Sequence, residues 1–509
     1  MTNTLFDALL KKGRENPGRR FALLPDGRKF SYGDVETVSA RFANVLTDLG
    51  LRPGDRVAVQ VEKSIEALML YLATVRAGGV FLPLNTAYTP AEIEYFLTDA
   101  GPRIFVCDPK KREQLAPIAE KAGAAIETLG FRSSTDGSAS SLSEKVLSAD
   151  ETFATVARDP EDLAAILYTS GTTGRSKGAM LSHANLLSNA KVLQETWGFT
   201  EKDELLHALP IFHTHGLFVA SNTVTIAGGG LIFLPKFDPD AVFEYLPQAT
   251  SMMGVPTFYT RLLADERLNR ELTAHMRLFT SGSAPLLAET HRAFETATGQ
   301  RILERYGMTE TNMNTSNPYE GERRAGTVGF PLEGTELRIA DPESGKILPR
   351  GEIGVIEVKG PNVFAGYWQM PEKTASEFRD DGFFITGDLG FVDADGYVTI
   401  VGRGKDLVIT GGYNVYPKEV ELVIDELPGV VESAVIGVPH KDFGEGVVGC
   451  VVAKEPLEEE AVIAALKDKL ARFKQPKRIV FVDELPRNTM GKVQKNVLRE
   501  EYKDLLGGA

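Results

Sequence analysis

The reading of this chain turns on ILYTSGTTGRSKGAMLSH, residues Ile166–His183. An apolar run feeds a segment holding three glycines, five hydroxyl residues and the cations Arg175 and Lys177. Beyond it the pattern predicts a helix. Glycine lets backbone approach an anion closely and adopt positive φ. Backbone N–H and hydroxyl groups of Thr169, Ser170, Gly171, Thr172, Thr173 and Gly174 can donate to phosphate oxygens, and Lys177 adds positive charge. A flexible linker has no reason to follow so directly on a buried strand. The loop is not of the Walker A type, because Ser176 precedes Lys177 and Gly178 follows it.

On the N-terminal side the chain alternates strands and helices. Arg56–Val61 reads as a strand, Ser64–Arg76 as an amphipathic helix, Val80–Leu84 as a strand and Pro90–Ala100 as a helix. Leu231–Leu234, Ser251–Val255 and Arg277–Thr280 read as further buried strands. This alternation predicts an α/β fold with helix-covered sheets. From Thr327 the texture shifts to short alternating strands with turn residues, as in a small antiparallel β subdomain. After Arg403–Asp406 it becomes a compact α+β unit: Pro417–Glu426 helix, Val431–Val438 strand, Glu458–Leu470 helix, Arg478–Val482 strand. The expected division is a large unit at 1–402, a connection at 403–406 and a small unit at 407–509. A length of 509 residues also calls for more than one core.

The chain has 56 basic and 70 acidic residues, a formal charge of −14, which argues against nucleic acid or an anionic membrane as main partner. No apolar run approaches the ~20 residues that span a bilayer, and no signal core opens the sequence. Cys107 and Cys450 sit in apolar runs and read as reduced core thiols. A cytoplasmic enzyme of small-molecule substrates is expected.

YTSGTTGRSKG resembles the phosphate-loop signature of the adenylate-forming superfamily, which includes acyl-CoA synthetases. Further segments match that family in order. LPIFHTHGL at Leu209–Leu217 resembles the acyl-pocket segment, with His213 as gate and Thr214 and His215 as walls. GSAP at Gly282–Pro285 resembles the adenine-side loop, placing Ser283 near base and acyl group. ERYGMTET at Glu304–Thr311 implies Tyr306 against adenine, Met308 by the acyl group, Thr309 on the α-phosphate and Glu310, with Thr169, holding Mg²⁺. FITGDLG at Phe384–Gly390 places Asp388 on the ribose hydroxyls. In GRGKDLVITGGYNVYP, Arg403 resembles a second ribose contact, Lys405 the hinge, and Gly411 and Gly412 the pantetheine tunnel. Lys492 matches the family's catalytic lysine.

The resemblance implies activation of an organic acid by ATP, with Mg²⁺, as an acyl-adenylate, then transfer to coenzyme A in a second orientation of a mobile C-terminal domain. Polar pocket candidates suit a second carboxylate better than an alkyl chain. Arg261, which can pair bidentately with a carboxylate, is expected in that pocket. The segments LPIFHTHGLF and MMGVPTFYTRLL resemble those of malonyl-CoA synthetases, which also accept methylmalonate. Ligation of another short acid, or loading of a carrier protein, is the alternative. Acetylation of Lys492, set by an acetyltransferase and a deacetylase, would remove a charge that adenylation needs.

Overall fold

Local signals start the first helices where the sequence places them. Ser64 accepts from the Ala67 N–H and opens Ile65–Arg76. Thr89 and Glu92 form a reciprocal capping box ahead of Pro90–Ala100. These helices cover a seven-stranded sheet in a computed structural model that describes residues 2–130, 140–169, 176–410, 413–467, 469–488 and 491–507. The sheet order is Gly366–Tyr367, Lys177–Ser182, Leu163–Thr169, Val80–Pro83, Arg56–Gln60, Ile104–Cys107, Ala125–Thr128.

The segment after the phosphate loop departs from expectation. It is first a strand, Lys177–Ser182, antiparallel to Leu163–Thr169, and only then the helix His183–Thr196. The ladder pairs Ile166 with Met180 and Thr169 with Lys177, so the two strands that flank the loop segment pair with each other. A six-residue buried strand is too short for its period to separate it from a helix start.

A second sheet has nine strands. It runs parallel from Leu303–Met308 through Leu278–Ser281, Ser251–Gly254, Glu204–His207 and Gly230–Phe233 to Arg20–Leu23, with antiparallel strands at both edges. One buried apolar cluster joins both sheets and includes most of the helix Ile65–Arg76. A four-stranded antiparallel sheet follows: Glu336–Ala340, Gly354–Lys359, Phe384–Val392, Val398–Arg403. It begins later than Thr327 because Phe330–Pro331 pairs into the nine-stranded sheet.

Sheet membership changes between Arg403 and Val408, where a last, five-stranded sheet begins. The helices Pro417–Asp425 and Glu459–Leu466 pack on its own apolar cluster. Cys107 and Cys450 are buried and unpaired, and burial pushes both thiols up to about 12. Among the described residues no helix is long and apolar enough to cross a membrane.

Candidate active site

The two strand ends that flank the phosphate loop stand opposite a buried carboxylate. Thr169 Oγ1 lies 3.4 Å from Glu310 Oε1, and the Tyr367 hydroxyl donates to the same oxygen at 3.1 Å. The Lys177 ammonium sits 4.1 Å from the Tyr367 ring centroid and 3.5 Å from Glu377. Burial pushes the Glu310 carboxyl pKa up; Tyr367 and Lys177 pull against it. Ser170, Gly171, Thr172, Thr173 and Gly174 lie outside the described residues, as do Gly411 and Gly412.

Tyr306 and Asp388 are 82 residues apart in sequence but bonded, the phenol donating to Asp388 Oδ2 at 2.6 Å. Arg403 Nε holds the other oxygen of that carboxylate at 3.0 Å. Asp388 lies within the strand Phe384–Val392, not in a turn. Gly387, with φ 72°, and the register shift at Leu389/Gly390 bend the strand and give it a turn-like sequence.

Strand alternation sends Arg305, the neighbour of Tyr306, to the opposite face. Its guanidinium lies over Gly282, where a Cβ would come within 2.2 Å of Nη1. Arg305 is 4% exposed, and among the described residues its Nε and Nη2 have no hydrogen-bond partner and no carboxylate pairs with it. Burial lowers its pKa to about 9, so it remains a cation at neutral pH. Its charge reaches His213 and His215, whose pKa values fall first through burial and then through Arg305. His213 falls to about 4, so it is neutral at neutral pH. The His215 N–H donates to His213 Nδ1 at 3.3 Å, and His215 Nδ1 lies 3.2 Å from Ser283 Oγ. Ser283 holds a left-handed φ of 68°, unusual for a residue other than glycine. Thr214 Oγ1 and His215 Nε2 are also buried without a partner among the described residues.

Lys492 comes from the C-terminal unit, where its backbone N–H donates to Asn488 Oδ1 at 3.0 Å. The Lys492 charge is felt at His213, and the Asp388 charge at Lys492. Burial, and then Arg403, lower Lys492 to about 8. Thr309 is half-buried in the turn after Met308, which packs partly against the main core. Lys405 is exposed in the single turn Gly404–Asp406.

Arg261 does not join this group. Its side chain is exposed and its guanidinium covers the Phe237 ring at 5.1 Å. An amphipathic helix presented two faces to choose from, and the arginine takes the wet one over an aromatic stem. The buried cation is Arg305 instead. Tyr367 and Glu377 were likewise missed; neither lies in a segment with a pattern of its own.

The chain resembles known proteins over almost its whole length. A model of the AMP-binding enzyme family matches residues 9–368, and one of the AMP-binding enzyme C-terminal domain matches residues 419–492. The chain belongs to the AMP-binding enzyme family. Among solved structures it is similar to ATP-bound MatB from Rhodopseudomonas palustris, at 62% identity over 99% of this chain and 100% of that one, with a TM-score of 0.96. Against apo MatB from the same organism, at the same identity and coverage, the TM-score is 0.86. A malonate–CoA ligase of Arabidopsis thaliana is 34% identical, covering 95% of this chain and 86% of the relative.

Proposed function

We propose that this protein joins malonate to coenzyme A at the expense of ATP, through malonyl-AMP, releasing AMP and pyrophosphate. The family and the malonate–CoA ligase relative support the reaction class. The observation that carries the choice of acid is Arg305: a buried guanidinium with no counter-ion among the described residues, beside two neutral histidines and a serine. Such a charge is costly unless a ligand carboxylate completes the pair. Methylmalonate adds one methyl group and keeps both carboxylates, so it is a second substrate of the same site.

The first half-reaction forms a bond between one malonate carboxylate oxygen and the α-phosphorus of ATP. The bond from that phosphorus to the bridging oxygen breaks, and pyrophosphate leaves. Negative charge gathers on the phosphoryl oxygens. Lys492, Lys177 and the hydroxyl loop are assigned to oppose it. Asp388 and Arg403 are assigned to the ribose, the Tyr306 ring to the adenine and Thr309 to the α-phosphate. Thr169 and Glu310, 3.4 Å apart, provide two hard oxygen donors, one of them a buried carboxylate that no lysine or arginine side chain pairs directly among the described residues. That set fits Mg²⁺, with phosphate and water oxygens making up the rest. When bound, Mg²⁺ would neutralise phosphate charge.

In the second half-reaction the thiol sulfur attacks the acyl carbon, AMP leaves with its phosphate as anion, and the thiol proton passes to solvent. AMP is a good leaving group, so no covalent enzyme intermediate is needed. We place the pivot for this step at 403–406, with Lys405 in it and Gly411 and Gly412 lining the tunnel. The greater similarity to the ATP-bound than to the apo neighbour supports an adenylating arrangement of the two units here. We also propose a cytoplasmic setting, in keeping with two buried thiols, and control by acetylation of Lys492.

Pyrophosphate release and thioester formation across acetate, malonate, methylmalonate, succinate and octanoate test the reading. Malonate is expected to give the highest kcat/KM, with methylmalonate next. Faster turnover of acetate or octanoate would overturn the choice of acid; pyrophosphate release without thioester would point to carrier loading. Arg261, exposed over the Phe237 ring, is assigned no more than a solvent-screened contact with malonate. Arg261→Ala is expected to raise the malonate KM by no more than about fivefold, the scale of an exposed ion pair, as read by steady-state kinetics.

A further inference from the structure

A second buried basic side chain lies near the acid pocket. Lys63 follows the strand Arg56–Gln60 and directly precedes Ser64, yet it is 6% exposed. Its Nζ lies 2.8 Å from His207 Nδ1 and 2.8 Å from the His207 carbonyl oxygen, and 4.3 Å from the Phe233 ring centroid. Among the described residues no carboxylate pairs with it. Burial lowers the Lys63 pKa well below its ordinary value, and a buried amine set against an imidazole and a carbonyl serves as a hydrogen-bond donor, not as a charge partner.

The other face of His207 shows what the donor controls. His207 Nε2 is 2.8 Å from the Gly216 carbonyl oxygen, and Ser221 Oγ donates to the same oxygen at 2.9 Å. Because the Gly216 carbonyl can only accept, the ring hydrogen of His207 sits on Nε2, pointing at Gly216, and Nδ1 is left to accept from Lys63. Burial lowers the His207 pKa well below its ordinary value, so the ring is neutral and its tautomer matters. Gly216 directly follows His215, at the start of the π-helix His215–Asn222. The turn is tight: a Cβ on Gly216 would lie 2.1 Å from the Pro210 carbonyl oxygen. Without Lys63 the proton is free to move to Nδ1. Nε2 would then face the carbonyl lone pair to lone pair, and the turn carrying His213, Thr214 and His215 would lose an anchor. π-helical segments of this kind recur at functional sites.

We propose that Lys63 is a positioning residue for acid binding, acting through the tautomer of His207 and the Gly216 carbonyl to hold the His213–His215 turn in place. The proposal rests on the malonate reading above. A cavity of about 450 Å³, lined among others by Leu24, Arg28, Phe233 and Pro235, reaches Lys63 from outside. A small amine can therefore take the place of a truncated side chain.

Steady-state kinetics of Lys63→Met, Lys63→Ala, His207→Gln and His207→Asn test this. Lys63→Met keeps the stem and removes the donor. It is expected to raise the malonate KM about tenfold, the scale of one hydrogen bond, to leave the ATP KM within about twofold, and not to lower Tm. Lys63→Ala is expected to regain malonate affinity with added propylammonium. His207→Gln, whose amide reaches the Nε2 position, is expected to stay near wild type, whereas His207→Asn should match Lys63→Met. An unchanged malonate KM in Lys63→Met, or an equal rise in both KM values with a lower Tm, overturns the proposal. Wild-type protein inactive on malonate would instead strike the functional reading itself.

Discussion

Lys492→Ala is expected to lose adenylate formation by about 10²–10³-fold, the usual cost of deleting one preorganised charge, while thioester formation from supplied malonyl-AMP changes little. The two half-reactions separate because Lys492 has a job only where phosphoryl charge develops. That job requires the ammonium. Burial and Arg403 have lowered Lys492 to about 8, so it is charged below that pH and neutral above it. Pyrophosphate release by wild type should therefore fall as pH rises through about 8, and Lys492→Arg should not show that fall. Binding of ATP phosphates would move the step to higher pH, since a nearby anion favours the charged form. Acetylation of Lys492 removes the same charge and is expected to reproduce the alanine variant. Stopped-flow or pyrophosphate-release assays on each half-reaction decide the matter: equal loss of both, or full adenylation by acetylated protein, would remove Lys492 from the role.

How far the sequence foretold this site depended on the range of each contact. Helix starts at Ser64 and Thr89 were legible because the capping residue lies within one turn of its partner. The order of motifs around Tyr306, Glu310 and Asp388 was legible because each motif is contiguous. Their convergence was not a matter of pattern: Tyr306 and Asp388 meet only through two different sheets. Arg305 was overlooked inside a motif already quoted for its neighbours. Its signal was available, since a buried strand reading LERYGM carries two charges that the period of two sends to opposite faces. Glu304 finds His291 at 3.2 Å, and Arg305 finds no carboxylate among the described residues. Arg261 drew attention because an arginine can pair bidentately with a carboxylate, but its side chain took solvent. The Lys63–His207 bond spans 144 residues and left no mark in either segment.

Arg305→Met is expected to carry the largest change in specificity. The substitution keeps much of the side-chain volume and removes the buried charge that both His213 and His215 feel. A malonate bound there would bring its second carboxylate into a dry pocket without a counter-charge. Deleting one partner of a buried, hydrogen-bonded charge pair costs about 2–5 kcal/mol, so kcat/KM for malonate should fall at least about thirtyfold. Monoacids give the opposite expectation. Acetate and propionate do not use the guanidinium, and for them it is an unpaid desolvation at the end of the pocket. Their kcat/KM should hold or rise, and the variant should be no less stable to heat than wild type. If Arg305→Met and Arg261→Ala exchanged these outcomes, the exposed arginine would have to fold inward on the acid, and the buried one would be a core group with no share in recognition.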